Sequence, residues 1–214
     1  NTSTLNSPPR AVQIVVSAAE LAAIPRGSVL TGLALRQVVT SQGAWPQSNV
    51  VFDRYAIDVS TSPNAPLAST GQFADNEGPD KVRVREGPLV VRSGSYKNTS
   101  GSAVNPFGPT IVFQRPFVYR GGNLCVTIRH SGNGQSASLS SELATDSSKI
   151  RLWVSTDENG TNASFTLPGP VTLFSYTPSV TLPRALENDD GESGYSLFDE
   201  PGTIQTVFGA GEMR

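Results

Sequence analysis

The sequence predicts an all-β chain: an antiparallel β-sandwich or jelly roll, with one short helix near the N-terminus. Three observations predict it. Apolar and polar residues alternate in short runs, as in residues 116–130, where Phe117 and Tyr119 lead into Gly121-Gly122-Asn123 and Leu124, Val126 and Ile128 then share one parity. A strand sends successive side chains to opposite faces, so this period of two marks a half-buried strand. Turn formers separate the runs, with 20 glycines and 16 prolines among 214 residues. Finally, the only stretch of strong helical propensity, residues 17–24, is short and stops at Pro25.

The elements follow in order. Residues 1–10 are polar and carry Pro8-Pro9, so they are extended. Residues 11–17 form a first strand, and 17–24 a single turn or short helix. Residues 28–39 form the next strand, with Val29, Thr31, Leu33 and Leu35 on one side and a bulge or close approach at Gly32. After the Trp45-Pro46 loop, residues 49–61 read as one strand in which Tyr55, Ile57 and Val59 alternate with Arg54, Ala56 and Asp58. Residues 67–80 lack a period. Residues 81–96 carry two short strands around Glu86-Gly87-Pro88, and 93–109 form a polar loop. Residues 110–119 and 123–130 are expected to pair as a hairpin. Residues 131–143 are a loop, 149–155 a strand with Ile150, Leu152 and Val154 on one face, and 163–176 the last two core strands. Residues 204–208 are a further short strand. The expected organisation is an N-terminal arm (1–16), one sandwich domain (17–176) and a C-terminal tail (177–214).

Composition narrows the function classes. The 16 basic and 18 acidic residues leave a net charge of -2, which offers no electrostatic case for nucleic acid or an anionic membrane. No apolar run is long enough to span a bilayer. A single cysteine, Cys125, rules out an intrachain disulfide and lies on the parity opposite to Leu124 and Val126, so it is expected to pack on a second face or under a loop. The opening residues, NTSTLNSPPR, read as a mature end left after a signal peptide, hence an extracellular or cell-surface protein.

Four segments carry a resemblance: AIDVST (56–61), FADNEG (with Phe73, Asn76 and Gly78), RPFVY (115–119) and GGNLCVTI (121–128). Across residues 28–176 they resemble secreted bacterial surface proteins with one sandwich ectodomain, including those with PEP-CTERM-type sorting tails. The resemblance implies a surface role and brings no catalytic residues with it.

Candidate sites are few. His130 is the only histidine, there is no G-x-S-x-G elbow, and one histidine with one cysteine makes a poor zinc set. His130 is expected to cap a strand end or lie in solvent. No catalytic residue and no cofactor is expected, and the chain is read as a non-enzyme. Calcium is the one metal with candidate ligands, in two acidic turns: Asp75, Asn76 and Asp80 with Glu77, and Asn188, Asp189, Asp190 and Glu192 around Gly191. The same residue types also simply make turns. Asp53, Asp58, Glu142 and Asp157 are the carboxylates available for a glycosidase pair. Trp153 and Trp45, with Tyr55, Tyr96 and Tyr119, are candidates for stacking on a sugar or contacting a subunit, and Trp153 can equally pack under a loop. Of four Asn-x-Ser/Thr sequons, at Asn1, Asn98, Asn159 and Asn162, those at Asn98 and Asn159 fall in the most exposed expected loops and are the glycosylation candidates.

The leading functional expectation is a structural subunit of an extracellular filament or surface layer, whose partners are other copies of itself. Copies would join by strand addition, with Ala11, Val12, Ile14 and Val16 in the donor strand and Leu5 as an added anchor. The competing expectation is a glycan-binding or adhesion module.

Overall fold

A computed structural model describes residues 4–41, 43–99, 104–135, 138–179 and 204–208, the last as backbone alone. The strands are β1 (Arg10–Val16), β2 (Val29–Leu35), β3 (Val50–Phe52), β4 (Tyr55–Ser62), β5 (Val82–Arg85), β6 (Leu89–Val91), β7 (Ile111–Val118), β8 (Asn123–His130), β9 (Ile150–Ser155), β10 (Phe165–Pro168), β11 (Thr172–Thr177) and β12 (Ile204–Phe208). They build a six-stranded sheet in the order β10-β9-β1-β8-β4-β5, a four-stranded sheet β12-β11-β2-β7 and a two-stranded ribbon β3-β6. Every named pair is antiparallel. The expected all-β sandwich is therefore what the chain forms.

Period two explains the core. Val12, Ile14 and Val16 of β1, Leu124, Val126 and Ile128 of β8, Tyr55, Ile57 and Val59 of β4, and Ile150, Leu152 and Val154 of β9 all reach one buried cluster. Leu30, Leu33 and Leu35 of β2 and Phe174 and Tyr176 of β11 close it from the facing sheet. In β2 the inward set differs from the expected Val29, Thr31, Leu33 and Leu35. A register shift between Leu30 and Gly32 changes the parity, and a Cβ at Gly32 would crowd Thr110 and the Ile111 carbonyl.

Four local expectations change. Residues 17–24 fold as consecutive turns, closed by Leu21 N–H to Ser17 C=O (3.3 Å) and Ile24 N–H to Leu21 C=O (2.9 Å). Helical residues lie instead at Pro66–Ala68, a 3-10 turn, and Phe73–Asn76, a single α turn, α1. Residues 49–61 divide into β3 and β4 in different sheets. The expected hairpin of 110–119 with 123–130 is instead a crossing between layers, because β7 joins β2 while β8 joins β1 and β4. Its Gly121-Gly122 link takes φ of 92° and 88°, which glycine adopts without strain.

The N-terminal arm carries the largest correction. The sequence assigns Ala11, Val12, Ile14 and Val16 to a strand donated to a neighbouring copy, with Leu5 as an added anchor. In the fold β1 lies between β8 and β9 of its own sheet, and Ala11, Val12, Ile14, Val15 and Val16 are all buried. Leu5 is buried in the chain's own core. Thr4 C=O accepts from the Tyr55 hydroxyl (3.2 Å), Leu5 C=O from Leu139 N–H (3.2 Å) and Ser7 C=O from Asn133 N–H (2.9 Å). Both edges of β1 are thus filled from within.

The outer face of the large sheet is covered as well. Ala11, Gln13, Val15, Cys125 and Thr127 point away from the core yet are buried. The segment 63–80 lies over them and seats Phe73 and Asn76. Cys125 is thus under a loop, as its parity predicts, and burial pushes its thiol pKa far up, so it is held as an inert thiol.

Candidate functional site

Strands β4 and β8 end side by side, with Tyr55 opposite His130 and Ala56 opposite Arg129. A cavity of about 260 Å3 opens there, with Arg54, Arg83, Arg129, Glu86, Glu158 and Asn159 in its lining. Arg83 grips Asp58 through two bonds (Nε–Oδ1 2.5 Å, Nη2–Oδ2 3.1 Å) and reaches Glu86 at 3.3 Å. Hydrogen bonding to Asp58 raises the Arg83 pKa above its ordinary value. Arg54 pairs with Glu158. Arg129 donates to the carbonyls of Glu158 (2.7 Å) and Gly160 (2.9 Å) and stacks over Phe73, 5.7 Å from the ring centre. Three guanidiniums therefore stand against three carboxylates. The cavity presents fixed donors and acceptors but little net field, which suits a polar neutral ligand better than an anion.

His130 backs this end of the sheet, buried rather than solvated, and caps the turn that follows β8. It is 1% exposed, stacked on Tyr55 (5.8 Å, 12°) and edge-on to Phe52 (5.2 Å). Its Nδ1 accepts from Gly132 N–H (3.1 Å), so the neutral ring carries its proton on Nε2. Burial, with the charge of Arg10 adding, lowers its pKa from 6.5 to about 4. A turn that folds back beneath the arm at Gly132 (φ 78°) seals it in, where a Cβ would collide with the Ser7 carbonyl.

The other sequence candidates do not converge. Asp58 serves Arg83, Glu142 pairs with Arg36 (2.5 Å), Asp157 caps its own turn by accepting from Asn159 N–H (2.9 Å), and Asp53 is exposed. In the first acidic turn, Asp75 accepts from Thr70 Oγ1 (2.8 Å) and Asp80 from Thr61 N–H and Oγ1 (2.9 and 2.8 Å). Asn76 is buried and bonded to Gln13 (2.7 Å). These contacts brace the loop, and among the described residues no three His, Cys, Asp or Glu side chains gather to hold a metal. Asn188, Asp189, Asp190 and Glu192 lie outside the described residues.

The aromatic platform does not form either. Trp45 is buried edge-on to Tyr96 (5.6 Å), and Tyr55, Tyr96 and Tyr119 are also buried. Trp153 does point outward, but its Nε1 donates to Ser69 Oγ (2.8 Å), Arg151 covers the ring at 4.8 Å and Gly71 lies against it. Of the glycosylation candidates, Asn159 is exposed on the cavity rim, while the Asn98 side chain is half-buried and donates to Ser41 C=O. Sequence reasoning missed Arg83, Arg129, Glu86 and Glu158 as cavity residues. Their only signal is a charged residue near a strand end, which gathers nothing until strand order is known.

No family model, no curated protein and no solved structure matches this chain. Among the described residues no helix is long and apolar enough to cross a membrane.

Proposed function

We propose that this chain is a non-enzymatic structural module of the extracellular space or cell surface, and that copies of it associate through a free sheet edge. The observation that carries the reading is β10. Among the described residues it closes one side of the large sheet with a partner on one side only, and there Phe165 is 38% exposed. An edge strand with an apolar side chain offers main-chain hydrogen bonds and burial area together. β1, the expected donor, is enclosed in its own sheet, so β10 is the better candidate for strand addition. At four residues with Pro168 at its end, β10 supports a weak contact that gains strength only when repeated in an array. The dispersed carboxylates and the sealed histidine support the non-enzymatic reading, and the surface-protein motifs support the location. Sedimentation velocity tests it: the wild type is expected to self-associate as concentration rises, and Phe165→Lys to remain monomeric. A wild type that stays monomeric at high concentration, or a variant that associates equally, sinks the edge contact.

A second reading, glycan binding, draws on the polar cavity, whose size suits a single sugar ring. Glycan-array binding is expected to fall about tenfold or more in Arg54→Ala, whereas a signal unmoved by that change argues against the cavity. Trp153→Ala is the wrong probe, since the ring is covered.

A further inference from the structure

Beneath the 63–80 segment, four side chains meet in an arrangement that the fold alone does not require. Gln13 of β1 and Thr127 of β8 are direct cross-strand partners, 0% and 2% exposed. Gln13 Nε2 donates to Thr127 Oγ1 (3.1 Å) and to Phe73 C=O (3.0 Å). Thr127 Oγ1 in turn donates to Glu77 Oε1 (3.1 Å). Asn76 Nδ2 donates to Gln13 Oε1 (2.7 Å). The threonine proton thus points at a carboxylate and its lone pair at an amide, while the amide oxygen already receives an N–H. A hydroxyl nucleophile, its base and a donor for the developing oxyanion are the parts that acyl transfer needs.

We propose that Thr127 and Gln13 join as an intramolecular ester with loss of ammonia. Thr127 Oγ1 attacks Gln13 Cδ and its proton passes to Glu77. The charge that develops on Gln13 Oε1 is held by Asn76 Nδ2–H. The Cδ–Nε2 bond then breaks, and Nε2 takes the proton back from Glu77 and leaves as ammonia. An amide and a hydroxyl become an ester and ammonia, with no change of oxidation state.

The distances allow it. Given the Nε2–Oγ1 separation of 3.1 Å, Oγ1 lies within about 4.4 Å of Cδ once the amide C–N bond of about 1.33 Å is added. Near-attack geometry needs about 3–3.5 Å, so a shift of about 1 Å suffices, and the terminal torsion of glutamine is soft. Burial keeps water from the product. The bond would tie the N-terminal strand to β8, giving a chain with one cysteine a covalent staple of the kind a disulfide supplies elsewhere. It does not depend on the surface role proposed above.

Intact-mass spectrometry of the folded full chain is the test. The expected mass is about 17 Da, one ammonia, below that of the sequence, and proteolysis should yield one species joining the Gln13 and Thr127 peptides, which hydroxylamine cleaves. Thr127→Ser should still cross-link and Thr127→Val should not. Glu77→Gln should slow the reaction about 100-fold or more. A folded wild type that keeps its full mass after prolonged incubation at neutral pH overturns the proposal. So does a 17 Da loss that persists in Thr127→Val, because succinimide formation at Asn133-Gly134 or Asn159-Gly160 also releases ammonia.

Discussion

A chain lacking residues 1–16 will not fold, and a synthetic peptide spanning residues 4–16 will restore its native near-UV circular dichroism when added in trans. The expectation follows from where β1 sits. Val12, Ile14, Val15 and Val16 are each 0–1% exposed. Full burial of an aliphatic side chain of this size contributes about 1.5–3 kcal/mol, so these four account for roughly 6–12 kcal/mol. The net stability of a whole domain is about 5–15 kcal/mol. Deletion also leaves the facing edges of β8 and β9 unpaired in the middle of a sheet, where their backbone groups have no other partners. The arm adds Leu5 and the Thr4 carbonyl that receives the Tyr55 hydroxyl. A truncated chain with native near-UV dichroism would show that β1 is dispensable and that the large sheet does not depend on it. The experiment also separates two modes of assembly, because loss of β1 destroys the fold whereas Phe165→Lys is expected to leave the fold intact and remove only association.

Between pH 6.5 and pH 4 the protein is expected to lose stability through His130, and His130→Phe to lose correspondingly less. The ring is neutral in the fold and its pKa is lowered from 6.5 to about 4, first by burial and then by the charge of Arg10. In the unfolded chain the same group takes up a proton near pH 6.5. Across the interval the unfolded state therefore binds more protons, so stability rises with pH. The contribution is fully present above about pH 6.5 and drains away as pH falls toward 4, amounting to about 3 kcal/mol in all. Of the two rings that touch it, Phe52 is apolar, and burial drives the Tyr55 hydroxyl still further above its ordinary range. Phenylalanine keeps the apolar ring between Phe52 and Tyr55 but has no proton to gain. Urea unfolding of both chains at a series of pH values reads the difference, because carboxylates elsewhere titrate equally in the two. Parallel stability curves would place the acid sensitivity on some other group.

The strands themselves were legible. Period two named the inward side chains correctly on β4, β8 and β9, because that pattern is written by local backbone geometry, whereas the sequence marks β1 as a strand but assigns it to a neighbouring copy. The two-sided burial of β1 was legible only in part. RAVQIVV is apolar almost throughout, the mark of a strand covered on both faces, and Gln13 is its one polar interruption. That glutamine found buried partners on a segment sixty residues away, a distance no local pattern spans.

What the sequence determined by itself is the class: short alternating strands, broken by glycine and proline, too balanced in charge to seek nucleic acid and with one cysteine that could not pair. Only the tertiary structure decided which strands lie side by side. Antiparallel partners such as β1 and β8 stand more than a hundred residues apart, and local preference carries no information about such pairings, which are selected by the packing of whole faces. From that selection came everything specific to this molecule: the arm closed into its own sheet, the histidine sealed under a turn, Trp153 covered by a loop, and Gln13 laid against Thr127.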